Sequence, residues 1–253
     1  MRTLSIINLK GGVAKTISSV NMAYIMAAEH GKRVLLIDND KQGNASKILK
    51  CHSYERKGVA ELMTERRPIM EQLIQKTEYE GLDIITANMN LLTANLQVML
   101  DQQRPQQTRF RNALKSVSDR YDYCIIDNAP DINISTINAL VASDDVMVPV
   151  TIDDFAIDGL AQLVDQINNT REDLNEGLNF LGCFITQYDR TNPADSDGVE
   201  YIKDLKYPLF ETFIRRTPKM KQSTFVREPI VLFSNRCAAT SDYRNLVKEY
   251  MQM

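Results

Sequence analysis

Residues 3–38 constrain the fold more than any other stretch of this chain. TLSIIN (3–8) reads as a short apolar strand running straight into the loop NLKGGVAKTIS (8–18). KTISSVNMAYIMAAEH (15–30) follows with helical apolar spacing at Val20, Tyr24 and Ala27/Ala28, and Gly31 stops it. RVLLID (33–38) is then a continuous apolar run ending in aspartate, the pattern of a strand buried on both faces of a parallel sheet. Strand, loop, helix and strand in this order make a βαβ unit.

The pattern recurs. LDIITA (82–87), YDYCIID (121–127), DVMVPV (145–150) and LNFLGCFIT (178–186) are strand candidates. Helical stretches fall near 57–64, 68–76, 90–101, 105–118, 134–142, 155–170, 197–205 and 238–251. The alternation predicts an α/β fold: a doubly wound, mostly parallel sheet with helices on both faces. No Gly/Ser/Pro-rich linker or internal repeat divides it, so residues 1–253 read as a single domain. Residues 187–235, with Pro193, Pro208, Pro218 and Pro229, read as the most loop-like part.

With 43% hydrophobic and 25% charged residues the composition is that of a soluble globule. There is no apolar run long enough to span a bilayer, and the first strand begins too near Met1 to leave room for a signal peptide. Cys51, Cys124, Cys183 and Cys237 are scattered without a C-x-x-C pair, which predicts reduced thiols in a cytoplasmic protein. A net charge of −3 excludes a surface coated in basic residues but permits a local basic patch.

Ligands of such sheets bind at the carboxyl ends of the strands. Three motifs converge there. In the glycine loop, small residues let backbone N–H groups approach phosphate oxygens, and the following helix presents its positive end to the same anion. Gly11 and Gly12 supply the close approach, Lys15 would reach the terminal phosphates, and the Thr16 hydroxyl would coordinate Mg²⁺. The loop nonetheless departs from G-x-x-x-x-G-K-[ST], with Leu9 and Ala14 at the two glycine positions. The second motif, IDNDKQGN (37–44), sets Asp38 and Asp40 beyond a strand, and the third, YCIIDNAP (123–130), ends in Asp127, a carboxylate suited to a Mg²⁺ shell. Singly, each could be only a turn or a helix cap.

Together these residues resemble the ParA/MinD family of deviant-Walker ATPases, whose loop reads KGGxGK[ST] with a signature lysine, here Lys10. The family dispenses with the first Walker glycine, so Leu9 breaks no rule. IDNDKQGNAS is similar to its D-x-D-P-Q-G-N segment, with Lys41 for proline, and YDYCIIDNAP to its Y-D-hydrophobic-hydrophobic-D-x-x-P strand. VPVTIDDFAIDGLAQLVDQI, with F-A-x-x-G-L, then ITQYDRTN, FETFIRR and REPIV follow in family order. The resemblance implies ATP held by Lys10, Gly11, Gly12, Val13, Ala14, Lys15, Thr16 and Ile17, with Mg²⁺ supported by Thr16, Asp38 and Asp127. It implies catalysis by Lys10, Lys15 and Asp40: an ATP-bound homodimer in which Lys10 crosses to the partner's nucleotide, while Asp40 positions the attacking water.

Ala14 replaces the last loop glycine and Ile17 a hydroxyl residue expected near the α-phosphate. Ala suits a helix-start conformation but would crowd the phosphate if φ there is positive, so ATP binding with slow hydrolysis is expected. Residues 206–227 carry Lys206, Arg215, Arg216, Lys219, Lys221 and Arg227 against the single acid Glu211. Arg215, Arg216, Lys219 and Lys221 are therefore candidate contacts for non-specific DNA, though they also suit a solvated loop. Within the family the chain is most similar to small chromosome and plasmid partition ATPases, which implies a ParB-like centromere-binding partner and nucleoid association when ATP-bound. The apolar stripe Tyr243, Leu246, Val247 and Tyr250 near the C-terminus reads as core packing rather than a MinD-like membrane anchor, and no cysteine motif suits an iron–sulphur relative. The alternative is a nucleotide-gated positioning or scaffold protein for a non-DNA cargo.

Overall fold

The computed structural model describes residues 1–152 and 154–253, and of residues 154–158 the backbone alone. The strands are β1 (Arg2–Ile6), β2 (Val34–Asn39), β3 (Ile74–Lys76), β4 (Leu82–Ile85), β5 (Tyr123–Asn128), β6 (Asp145–Val150) and β7 (Asn179–Ile185). Among the described residues they form one sheet in the order β3-β4-β2-β5-β1-β6-β7, parallel throughout except at β3. The helices in the first half are α1 (Lys15–Ala28), α2 (Asn44–Ile48), α3 (Val59–Thr64), α4 (Met70–Leu73), α5 (Asn90–Leu100) and α6 (Arg109–Leu114). Then come α7 (Ile134–Ala142), α8 (Asp154–Asp173), α9 (Pro193–Asp204), α10 (Pro218–Val226), α11 (Ile230–Phe233) and α12 (Ala238–Met251).

The apolar runs are buried on both sides, as their lack of alternation requires. In β2, Val34 and Leu36 pack into a core shared with α1 and α12, while Leu35 and Ile37 face Val59, Leu62 and Phe110 on the other side. In β5, Ile125 and Ile126 divide between the same two cores. A third core lies under β6 and β7. The α12 stripe is core: Tyr243, Leu246, Val247 and Tyr250 are each 0% exposed, and each such aliphatic side chain contributes about 1.5–3 kcal/mol by burial.

The β1–β2 crossover passes to one side of β1 and the β5–β6 crossover to the other. The sheet therefore changes winding direction at β1 and β5, and a crevice opens beyond their carboxyl ends. Asp38 and Asp127 are register partners at the ends of β2 and β5.

The elements differ from expectation in three places. Residues 68–76 are not one helix: α4 lasts a single turn, and Ile74–Lys76 turns back antiparallel on β4, where buried Gln75 donates to Thr86 Oγ1 at 3.0 Å. About half of segment 187–235 is helical, because three of its four prolines stand at helix starts and only Pro208 stands away from one. Pro193 and Pro218 lie at the first turns of α9 and α10, capped by the side chains of Asn192 and Thr217, and Pro229 precedes α11. Helix α2 was not expected at all. In the F-A-x-x-G-L stretch, the side chains of Phe155 and Ala156 lie outside the described residues, as does Asp153 altogether.

Candidate functional site

The loop between β1 and α1 is fixed from below by Asn8. Its buried amide donates to Pro149 O at 2.7 Å and accepts from Lys10 N at 2.9 Å. Gly12 has φ +79° and Ala14 φ +66°, both in the left-handed region. Of the two cases open for residue 14, the structure has the positive-φ one, because the loop needs positive φ there to turn into α1. Alanine carries a cost at this position that glycine would not. No side chain caps α1 and its first turn has no acid, so its positive end is available to an anion in the crevice.

Lys15 is buried and its Nζ donates to Lys10 O at 2.8 Å, folding the lysine back over the loop. Burial lowers its pKa, against the opposing pull of Asp127, Asp40 and Asp131. Thr16 and Ile17 follow at the crevice wall. Ile17 also packs partly against the α1–α12 core, so its side chain supplies apolar contact where a hydroxyl was expected.

The two strand-end carboxylates lie behind the loop and are fully buried. Ser46 donates to Asp38 Oδ2 twice, from its N–H at 2.7 Å and its hydroxyl at 2.6 Å, and Asp40 N reaches Asp38 Oδ1 at 3.3 Å. Asp127 Oδ1 accepts from Ser19 Oγ at 3.0 Å, and Thr16 also hydrogen-bonds this carboxylate. Burial pushes both carboxyl pKa values up. Next in order, the Asp38 charge raises Asp127 further, whereas hydrogen bonds from Ser46 hold Asp38 back. Asp127 Oδ2 is buried with no hydrogen-bond partner among the described residues. An orphaned carboxylate oxygen beside a second carboxylate and a threonine hydroxyl fits Mg²⁺, which takes hard oxygen ligands and uses one or two carboxylates alongside phosphate and water.

The crevice is a cleft of about 1240 Å³. One wall is the loop with Asp40; the opposite wall is Thr186–Arg190 with segment 214–221. The walls are joined, since Gln187 Nε2 donates to Gly12 O at 2.7 Å and Thr186 Oγ1 to Val13 O at 3.1 Å. Tyr188 and residues 214–216 are laced by Tyr188 N donating to Ile214 O and Arg216 N donating to Tyr188 O, at 2.9 Å each. The four basic candidates separate here. Arg215 is clamped to Asp242 of α12, with its Nη2 at 2.6 Å and Nε at 2.9 Å, and its Nη2 also donates to Ala238 O. Arg215 lines the cleft together with Arg216 and Lys221, and Lys219 Nζ lies 5.9 Å from the centre of the Phe233 ring.

Sequence reasoning missed Asn8, Ser19, Ser46, Thr186 and Gln187. Ser46 lies in the quoted IDNDKQGNAS motif and was legible as a hydroxyl next to two acids. Ser19 meets Asp127 across 108 residues, and nothing local signals that contact.

A family model described as an AAA domain matches residues 1–180. The chain is 33% identical to the chromosome partitioning protein ParA of Caulobacter vibrioides, over 98% of this chain and 93% of that protein. It belongs to the ParA family of partition ATPases. This ParA-family chain is also 34% identical to the sporulation initiation inhibitor protein Soj of Bacillus subtilis, covering 98% of the chain and 97% of Soj. A solved structure of cobyrinic acid a,c-diamide synthase from Mycobacterium smegmatis, with bound ATP analogue and magnesium, superposes with a TM-score of 0.87 at 26% identity. It covers 100% of this chain and 94% of that one. Among the described residues no helix is long and apolar enough to cross a membrane.

Proposed function

We propose that this chain is a cytoplasmic partition ATPase that binds MgATP in the β1–β5 crevice, dimerises with it, and holds DNA non-specifically until hydrolysis. The observation that carries this reading is the orphaned Asp127 Oδ2 behind a lysine-bearing loop at an uncapped helix end. The α1 N-terminus and the loop N–H groups bind the phosphates, and Lys15 exchanges its bond to Lys10 O for the terminal phosphate oxygens. Thr16, Asp38 and Asp127 would hold Mg²⁺, which when bound neutralises charge on the β- and γ-phosphates. Asp40, on the cleft wall with its backbone tied to Asp38, orients the attacking water, and Lys10 of each subunit stabilises charge on the other's nucleotide. Hydrolysis is slow alone and is stimulated by a ParB-like partner.

The test is equilibrium binding of MgATP to the wild type and to Lys15→Ala. Wild-type binding no tighter than the variant's would sink the reading. For DNA, retention that requires ATP and falls steeply with salt is expected, since phosphate neutralisation dominates non-specific binding.

The clamp on Arg215 favours keeping a second reading, nucleotide-gated positioning of a non-DNA cargo, because it leaves Arg216, Lys219 and Lys221 as the candidate DNA contacts. Charge reversal at these three should abolish ATP-dependent DNA retention under the first reading and leave cellular localisation unchanged under the second.

A further inference from the structure

We propose that Gln187 is a positioning residue of the phosphate loop, whose side-chain amide sets the Gly12–Val13 peptide so that the Val13 N–H faces the bound nucleotide. The proposal rests on the nucleotide-site reading above and adds to it a residue from the far wall of the cleft.

The carbonyl and N–H of a trans peptide point in opposite directions, so holding one aims the other. Gln187 Nε2 holds Gly12 O, which shares its peptide with Val13 N–H. Thr186 Oγ1 holds Val13 O, which shares its peptide with Ala14 N–H. Two consecutive carbonyls are thus drawn toward the end of β7, and two consecutive N–H groups are sent the other way. With Gly12 and Ala14 both at positive φ, this is the alternation that makes a backbone concavity for anions. Because the acceptor on Gly12 is a carbonyl, the Gln187 amide must present its nitrogen, and a carboxylate there would repel.

Gln187 is itself held in an uncommon conformation. Its φ is +57°, although it is neither glycine nor asparagine. The residues on either side are pinned, Thr186 N to Val150 O at 2.8 Å and Tyr188 N to Ile214 O at 2.9 Å. Strain of this kind persists where the surroundings over-determine it, and it concentrates at ligand sites. Here the surroundings direct an exposed amide across the cleft onto the loop. An ordinary surface glutamine has no reason to accept that backbone.

The experiment measures MgATP and MgADP dissociation constants by calorimetry, together with thermal midpoints of the nucleotide-free protein. The proteins are wild type, Gln187→Gly, Gln187→Glu and Gln187→Lys. Gln187→Gly relieves the backbone but removes the donor. It should keep or raise the thermal midpoint while weakening nucleotide binding about 2- to 10-fold, the worth of one neutral hydrogen bond. Gln187→Glu should weaken binding more than Gln187→Gly, and Gln187→Lys, which keeps a donor, should bind within about twofold of the wild type. A purely structural role would move midpoint and affinity down together in Gln187→Gly, and that result would overturn the proposal. Wild-type affinity in both Gln187→Gly and Gln187→Glu would overturn it while leaving the nucleotide site intact. A wild type that binds no better than Lys15→Ala would instead remove the nucleotide reading and this proposal with it.

Discussion

The position most open to a quantitative test is Ala14. Its φ of 66° and ψ of 25° put an L-alanine in the left-handed region at the start of α1. That conformation costs about 1–2 kcal/mol for a residue with a Cβ. Glycine removes the clash but has more freedom to lose on folding, a penalty of about 0.4–1 kcal/mol. The balance favours Ala14→Gly by about 0.5–1 kcal/mol, which for a chain of this size raises the midpoint of thermal unfolding by about 1–4 °C. Ala14→Val should go the other way by more than about 1 kcal/mol, since a β-branched side chain tolerates this region worst. Urea denaturation of nucleotide-free protein reads both changes, with equal slopes confirming that only stability has moved. Removing the methyl from the crevice wall should leave MgATP affinity unchanged or tighter. A destabilised Ala14→Gly beside a tolerated Ala14→Val would show that residue 14 does not have positive φ, and the account of the loop would fall.

Two further outcomes follow from the site's electrostatics. Asp242→Ala strips Arg215 of a carboxylate that also accepts from the Arg215 N–H at 2.9 Å. With the guanidinium partly solvated, it should cost about 2 kcal/mol in chemical denaturation, along with looser docking of α12. The raised carboxyl pKa values, about 6 for Asp38 and about 8 for Asp127, come first from burial, and they set a pH dependence for the nucleotide-free protein. The folded state holds these protons to higher pH than the unfolded chain, so stability is greatest below about pH 4 as far as these groups are concerned and is lost as pH rises toward about 8. Denaturation midpoints across that range should show the decline for the wild type and a flatter profile for Asp127→Asn.

Much of this geometry was legible because its signals are local. Continuous apolar runs ending in aspartate mark β2 and β5, and their ends had to carry Asp38 and Asp127 to one edge of the sheet. The alternation of elements implied crossovers, and crossovers imply the crevice. What escaped depends on distant partners. Ile74-Gln75-Lys76 has no strand pattern of its own and pairs only because β4 offers an edge. Pro193, Pro218 and Pro229 were read as breaks, although proline starts a helix as readily as it ends one, and only the caps from Asn192 and Thr217 decide between the two. The sign of φ at Ala14 is set by closing the loop onto α1, which no residue propensity encodes. The basic cluster at 215–221 looked uniform because an ion pair to Asp242, 27 residues away, cannot be seen from composition.

Leu9 carries the same lesson in the opposite direction. In the usual phosphate loop a glycine stands here, but this side chain packs partly buried against the core under β6 and β7 that includes Ile7 and Val148. Its neighbour Lys10 is held by its backbone at both ends, N–H to Asn8 Oδ1 and carbonyl from Lys15 Nζ. In the nucleotide-free protein the Lys10 side chain therefore leaves the loop from a fixed point. Leu9→Gly would restore the first glycine of the common motif while removing that anchor. The lost burial amounts to about 1–2 kcal/mol and the added backbone freedom to a further 0.5–1 kcal/mol or so, giving a loss of about 2 kcal/mol in nucleotide-free stability. Because the freed segment carries Lys10, ATPase activity should fall by a larger factor than MgATP affinity. Leu9→Met, which keeps the packing, should retain both. Full activity in Leu9→Gly would mean that the loop draws its order from the nucleotide rather than from the core beneath it.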